Sequence, residues 1–210
     1  MEIVLITSSK KDEQEPELIT RLFEAGLQTL HLRKPSFSTK QLTKYIEAIP
    51  KSFHNRIIIH QHHDLVFKFD LKGIHWTNVH LERKFKKWWF LRKLNARNKK
   101  VLFTRSYHKL SEVYDQEELN YDYYILGTLF NNLTNEFYSG FYEQGVNAAL
   151  KTANKQFIAR GGINEITIEK AYKYGFKGVA LHSQIWKAEN PFKRYIDIIE
   201  SCKAKGIQID

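Results

Sequence analysis

Short apolar runs recur along the whole chain, and each is followed by a stretch in which apolar residues return every three or four positions. The runs at 3–7, 29–33, 56–60, 73–76, 101–106, 122–127, 156–160 and 178–182 read as strands buried on both faces of a parallel sheet. Helical periodicity fills the intervals at 15–25, 39–49, 62–69, 82–95, 111–118, 143–153, 165–174 and 191–205. Local signals mark several ends. Pro16 stands near the start of the first helix, and Ser38 with Gln41 has the spacing of a capping box. Gly175 suits the end of a helix, and Asn190 followed by Pro191 suits a start. Eight alternating strand–helix units predict an α/β fold, a single (β/α)8 TIM barrel over 1–210, with an open doubly wound sheet as the rival. No GxGxxG follows the first strand, which weakens a dinucleotide-binding reading. The irregular stretch 128–142 breaks the rhythm, and loops of that length are often functional.

Composition narrows the picture. A chain of 210 residues with 42% hydrophobic residues suits one domain with a sizeable core. Cys202 is the single cysteine, so no intrachain disulfide forms and a reducing compartment is expected. The N-terminal apolar run is too short for a signal-peptide core, and no stretch approaches the ~20 apolar residues of a membrane helix. The expectation is a cytoplasmic protein without a membrane partner. The net charge of +10 attracts anions. Its densest segment, 83–100, reads as a solvated helix face whose Trp88, Trp89 and Leu91 turn inward or toward a partner, a candidate homodimer contact. No recognition motif accompanies that charge, so nucleic acid is not an expected partner.

Active sites of such barrels lie at the C-terminal ends of the strands. The residues there are His31 and Arg33, His60, His75, Ser106, Gly127 with Thr128, Arg160 with Gly161 and Gly162, and His182 with Ser183. The set holds cations and hydrogen-bond donors and no carboxylate, which suits an anionic ligand. In ARGGI, 159–163, two glycines let the backbone approach a ligand and expose its amides. Barrels often bind phosphate between the loops after strands seven and eight, so Gly161, Gly162, His182 and Ser183 are phosphate-binding candidates. A guanidinium at Arg33 can grip a diphosphate or carboxylate bidentately. Imidazoles at three strand ends could converge on a metal, but H-x-H-H at 60–63 matches no tight ligand pattern, and no metal ligand is assigned. His31 and His108 are acid/base candidates.

The order of LHLRK (30–34), RIIIHQHHDL (56–65), KGIHWTNVHL (72–81), TRSYHKLSEV (104–113), DYYILGTLFNNLTN (122–135), ARGGI (159–163) and GVALHSQIW (178–186) resembles the thiamine phosphate synthase family and its TenI-like thiazole tautomerase relatives. The resemblance implies a (β/α)8 barrel of thiamine biosynthesis. It implies a magnesium-dependent transferase that joins a pyrimidine diphosphate to a thiazole phosphate and releases pyrophosphate. Together with His75 from the strand-end set, it makes Arg33, His60, His75 and Ser106 the catalytic set, and it adds Thr134 to the phosphate-binding one by position. The family's Q-L-R-x-K reads His31-Leu32-Arg33-Lys34-Pro35, and Lys34 is the nearest substitute for the missing lysine. The family's Asn-Asp after strand three reads His60-Gln61, and its second magnesium aspartate falls at His80. The T-x-T-K loop reads Asn132-Leu133-Thr134-Asn135. With Gln61 and His80 at the acidic positions, the site should hold Mg2+ poorly. Protonated histidines in its place would make a synthase rate fall as pH rises through ~6.5. The tautomerase relatives' catalytic histidine falls at Thr128. Two further readings are a metal-independent isomerase whose base is His108, His60 or His182, and a degenerate binder of phosphorylated ligands.

Overall fold

The computed structural model describes residues 1–131, 133–138 and 140–210. Eight parallel strands, β1 (Glu2–Ile6), β2 (Thr29–Leu32), β3 (Ile57–Ile59), β4 (Gly73–Trp76), β5 (Leu102–Tyr107), β6 (Tyr123–Leu126), β7 (Phe157–Arg160) and β8 (Gly178–Leu181), follow one another in space. β8 pairs back onto β1, with Glu2 opposite Gly178 and Leu5 opposite Leu181, so the sheet closes into a (β/α)8 barrel. The open-sheet rival is thereby excluded.

Alternation along each strand sends residues to two cores. Leu5, Leu30, Leu32, Ile57, Ile59, Leu126 and Leu181 pack outward under the helices. Val4, Ile6, Ile58, Tyr123, Ile125, Ile158 and Ala180 fill the inside. The inner filling is uneven. β1, β3, β6, β7 and β8 contribute apolar or aromatic side chains, while β2, β4 and β5 present the buried polar residues His31, His75 and Thr104. These histidines sit between outward apolar neighbours, as Leu-His-Leu and Ile-His-Trp, which turns both rings inward.

The helices α1 (Glu15–Glu24), α2 (Thr39–Glu47), α5 (Glu143–Thr152), α6 (Glu165–Lys173) and α8 (Pro191–Ala204) occupy the expected intervals. Ser38 and Gln41 form the capping box of α2, and Asn190 caps α8 through the Lys193 amide. Other intervals differ from the periodicity. The interval at 62–69 holds one 3-10 turn, His63–Phe67, entered through His62 in the left-handed region at φ 55°. The interval at 111–118 is likewise the 3-10 turn Leu110–Tyr114. The predicted helix 82–95 is two helices, α3 (Asn78–Glu82) and α4 (Lys84–Ala96), parted at Arg83. The short α7 (Ser183–Trp186) follows β8 directly and has no counterpart in the periodicity. No helix among the described residues is long and apolar enough to cross a membrane.

The β2 end separates two adjacent cations. Arg33 is exposed at the mouth, whereas Lys34 is fully buried. The Lys34 ammonium pairs with the buried Glu15 carboxylate at the start of α1 and donates to the Lys10 carbonyl at 2.7 Å. Burial raises the Glu15 pKa above its ordinary value despite that partner. Lys34 therefore ties β2 to α1, and the expected substitution of Lys34 for the family's lysine at the diphosphate is not met.

Candidate functional site

A cavity of about 450 Å3 opens at the C-terminal ends of the strands. Arg33, His60, His75, Ser106, His108, Gly161, Gly162, His182 and Ser183, all candidates from their positions in the sequence, line it together. His31 lies beneath the floor without lining it, at 0% exposure. Thr134 does not line it; the residue is exposed, and its hydroxyl accepts from the Glu136 amide at 3.4 Å. Asn132, from the same motif, lies outside the described residues.

The anion side is built from backbone. Gly161 and Gly162 have φ of 88° and 66°, a region that suits glycine. A Cβ on Gly162 would stand 2.2 Å from the Phe130 carbonyl oxygen, so only glycine lets this turn pass under the 128–130 segment. Among the described residues, the amides of Gly161, Gly162 and Ile163 donate to no backbone or side-chain acceptor. Ser183, the first residue of α7, lines the same cavity. The glycine pair and Ser183 thus border one space.

Two guanidiniums complete this side. Sequence position marks Arg160 only as a strand end, yet it projects into the cavity and donates to the Gly127 carbonyl at 2.9 Å. Its Nη2 lies 3.3 Å from His108 Nδ1. Burial, and then the Arg33 charge, lower its pKa, but an arginine stays protonated. Neither Arg33 nor Arg160 has a carboxylate partner among the described residues. The His182 pKa is lowered by partial burial and by the same two guanidiniums.

The floor is imidazole. His31 Nδ1 and His60 Nε2 are 2.9 Å apart, and His31 Nε2 meets the Tyr123 hydroxyl at 2.5 Å. His75 joins Thr104 Oγ1 at 2.8 Å and Ser106 Oγ at 3.1 Å. The His60 and His75 rings stack with centroids 4.1 Å apart. Burial pushes the His31 pKa down to about 3 and holds those of His60 and His75 well below the ordinary value. All three rings are neutral at pH 7. The floor therefore does not provide protonated histidines in place of a metal, and that expectation is not met.

Magnesium fares no better. Among the described residues, no aspartate or glutamate lines the cavity. Of the two positions matched to magnesium ligands, neither Gln61 nor His80 reaches it. His80 instead bonds Thr77 Oγ1 at 2.8 Å and packs on His63. A hard cation that demands oxygen ligands does not fit guanidinium and imidazole groups.

Comparison with known proteins agrees with this architecture. A family model described as thiamine monophosphate synthase matches residues 3–185. The chain belongs to the thiamine monophosphate synthase family. The thiamine-phosphate synthase of Nitrosomonas eutropha is 26% identical over 83% of this chain and 81% of its own. Thiamine-phosphate synthase 1 of Aquifex aeolicus is 22% identical over 87% and 84%. Among solved structures, thiamine phosphate pyrophosphorylase from Bacteroides thetaiotaomicron superposes with a TM-score of 0.78 at 24% identity, covering 97% of this chain and 98% of that one. The enzyme of that name from Pyrococcus furiosus reaches 0.72 at 16% identity, covering 97% and 96%. Both solved structures share the fold. Membership assigns this chain to a thiamine-biosynthetic family. Within the family, this cavity differs from the resemblance-derived pattern on the side where carboxylates would hold a metal.

Proposed function

We propose that residues 1–210 work as one cytoplasmic barrel domain, a thiamine phosphate synthase-type transferase that handles its diphosphate with fixed guanidiniums in place of bound Mg2+. The observation that carries this reading is the convergence of Arg33 and Arg160 on a cavity bordered by Gly161, Gly162 and Ser183 and lined, among the described residues, by no carboxylate. The thiazole phosphate sits on the glycine amides and Ser183. The pyrimidine diphosphate sits against the guanidiniums and Ser106. The C–O bond to the diphosphate breaks and its electron pair leaves with pyrophosphate. The thiazole nitrogen lone pair then forms the new C–N bond. Cations placed where negative charge grows lower the barrier most in a site shielded from water.

Calorimetry with inorganic pyrophosphate tests this. Binding should be the same in Mg2+ and in EDTA. Arg33→Ala and Arg160→Ala should each weaken it about 10- to 100-fold, the worth of a hydrogen bond to a charged group. An absolute requirement for Mg2+ would refute the reading. A second reading, an isomerase that moves a proton on the thiazole phosphate, is favoured by the neutral imidazoles, because a base must be unprotonated. Incubation with the tautomer substrate alone, without pyrimidine diphosphate, separates the two. Turnover of neither, with stabilisation by thiazole phosphate, would leave a binder.

Phe85, Trp88 and Trp89 on α4 are 76%, 50% and 58% exposed, and Phe85 stacks on Trp88. We assign this face to a homodimer contact. Sedimentation should show a dimer that Trp88→Glu with Trp89→Glu converts to a monomer; an unchanged mass would remove the assignment.

A further inference from the structure

We infer that Tyr123, His31 and His60 form a one-way hydrogen-bond chain at the floor of the cavity that fixes His60 as an N–H donor to a phosphate or diphosphate oxygen, a role that rests on the transferase reading for its ligand. The direction follows from Tyr123. Its hydroxyl is buried inside the barrel, and among the described residues its one hydrogen-bond partner is His31 Nε2, at 2.5 Å. A buried phenol must donate, so His31 Nε2 accepts. A neutral imidazole carries one proton, so in His31 it sits on Nδ1 and points to His60 Nε2, 2.9 Å away. His60 Nε2 is thereby the acceptor, and the His60 proton lies on Nδ1. His60 lines the cavity, and its Nδ1 has no partner among the described residues. His75 stacks beside this chain without relaying its proton, because its two nitrogens are engaged by Thr104 and Ser106.

The same cluster has the outline of a metal site, with one ligand atom from each of His31, His60 and His75 within 4.8 Å of the others. The chain argues against that use. A metal on His31 Nδ1 would drive the proton to Nε2, where it would face the Tyr123 hydroxyl and leave that buried donor without an acceptor. What the chain supplies instead is a neutral, polarised donor. Each link strengthens the next, and the His60 N–H meets the ligand from the buried floor of the cavity. Tyr123 and His31 are positioning residues; His60 is the group that touches the ligand.

Long-range 15N–1H spectra of the intact protein at pH 7 test this. His31 and His60 should each show a single tautomer protonated at Nδ1, and inorganic pyrophosphate should shift the His60 Nδ1 proton. Tyr123→Phe should leave His60 a mixture of tautomers and weaken pyrophosphate binding about tenfold. A wild-type His60 protonated at Nε2, a His60 signal unmoved by saturating pyrophosphate, or unchanged tautomers in Tyr123→Phe would overturn the inference. Stoichiometric Zn2+ binding that removes the His31 Nδ1 proton would overturn it too. Should Tyr123→Phe fail to fold, the wild-type spectra decide alone. The outcomes separate from those of the transferase reading: pyrophosphate affinity untouched by Arg33→Ala would sink that reading while the wild-type tautomers stood.

Discussion

Lowering the pH from 7.5 to 5.5 is expected to destabilise the fold by roughly 4 kcal/mol from the three imidazoles of the floor, which each titrate near ~6.5 when unfolded and cost about 1.4 kcal/mol one unit below that value. His63, whose pKa burial lowers to about 3, adds to the drop. His31, His60 and His75 are 0%, 8% and 3% exposed, and burial depresses all three pKa values. The sign follows from proton counts. Below the unfolded value the denatured chain binds protons that the native chain refuses, so stability falls as pH falls. The contribution is complete above ~6.5 and is lost across the window beneath it. Urea denaturation at the two pH values measures the change. Replacing one of the three, as in His60→Asn, should remove about 1.4 kcal/mol of the drop. Equal midpoints at both pH values would show that the floor takes up protons in the native state. The same neutrality bears on activity: these rings give no reason for a rate to fall between pH 6 and 8.

Lys34→Met is expected to cost about 3–5 kcal/mol of stability, the penalty of leaving one buried charge without its partner. Lys34 and Glu15 are both inaccessible to solvent, and the ammonium also satisfies the Lys10 carbonyl. Without Lys34, the Glu15 carboxyl must stay charged in an apolar site or take up a proton. Its place at the first turn of α1, where helix dipoles favour negative charge, offsets only part of that. The melting temperature should fall on the order of 10 °C. Lys34→Met with Glu15→Leu should regain most of the loss, because a well-packed apolar pair replaces a buried ion pair at little net cost. Pyrophosphate affinity of the folded variant should stay at the wild-type level. If the single variant keeps its stability and loses pyrophosphate instead, Lys34 belongs to the mouth after all.

His31 of the first expectation lies in β2 and Lys34 of the second just past its end, and together they explain why a motif match misleads at single residues. His31-Leu32-Arg33-Lys34 carries three polar groups. One goes under the floor, one to the cavity and one to the opposite side of β2, behind the barrel wall. Alternation accounts for the first step. It does not settle where the strand ends, and beyond that point the chain bends so that neighbours part.

Features that depend on near neighbours in the chain could be read without coordinates. The eight apolar runs and their intervening periodicity specified the strands, because burial on both faces leaves a local signature. The caps at Ser38 and Asn190 and the glycines at 161–162 were legible for the same reason, since a cap or a positive φ is a demand of the local backbone. Long-range packing settled the rest. It sorted Arg33 from Lys34, brought Arg160 into the site and left Thr134 outside the cavity lining. It replaced the 62–69 helix with a single turn, where residues beyond the window set the chain's path. Above all it set the charge of the histidines. A proton's affinity for an imidazole depends on how much water and which dipoles surround it, and those neighbours come from β2, β3, β4, β5 and β6, far apart in the chain.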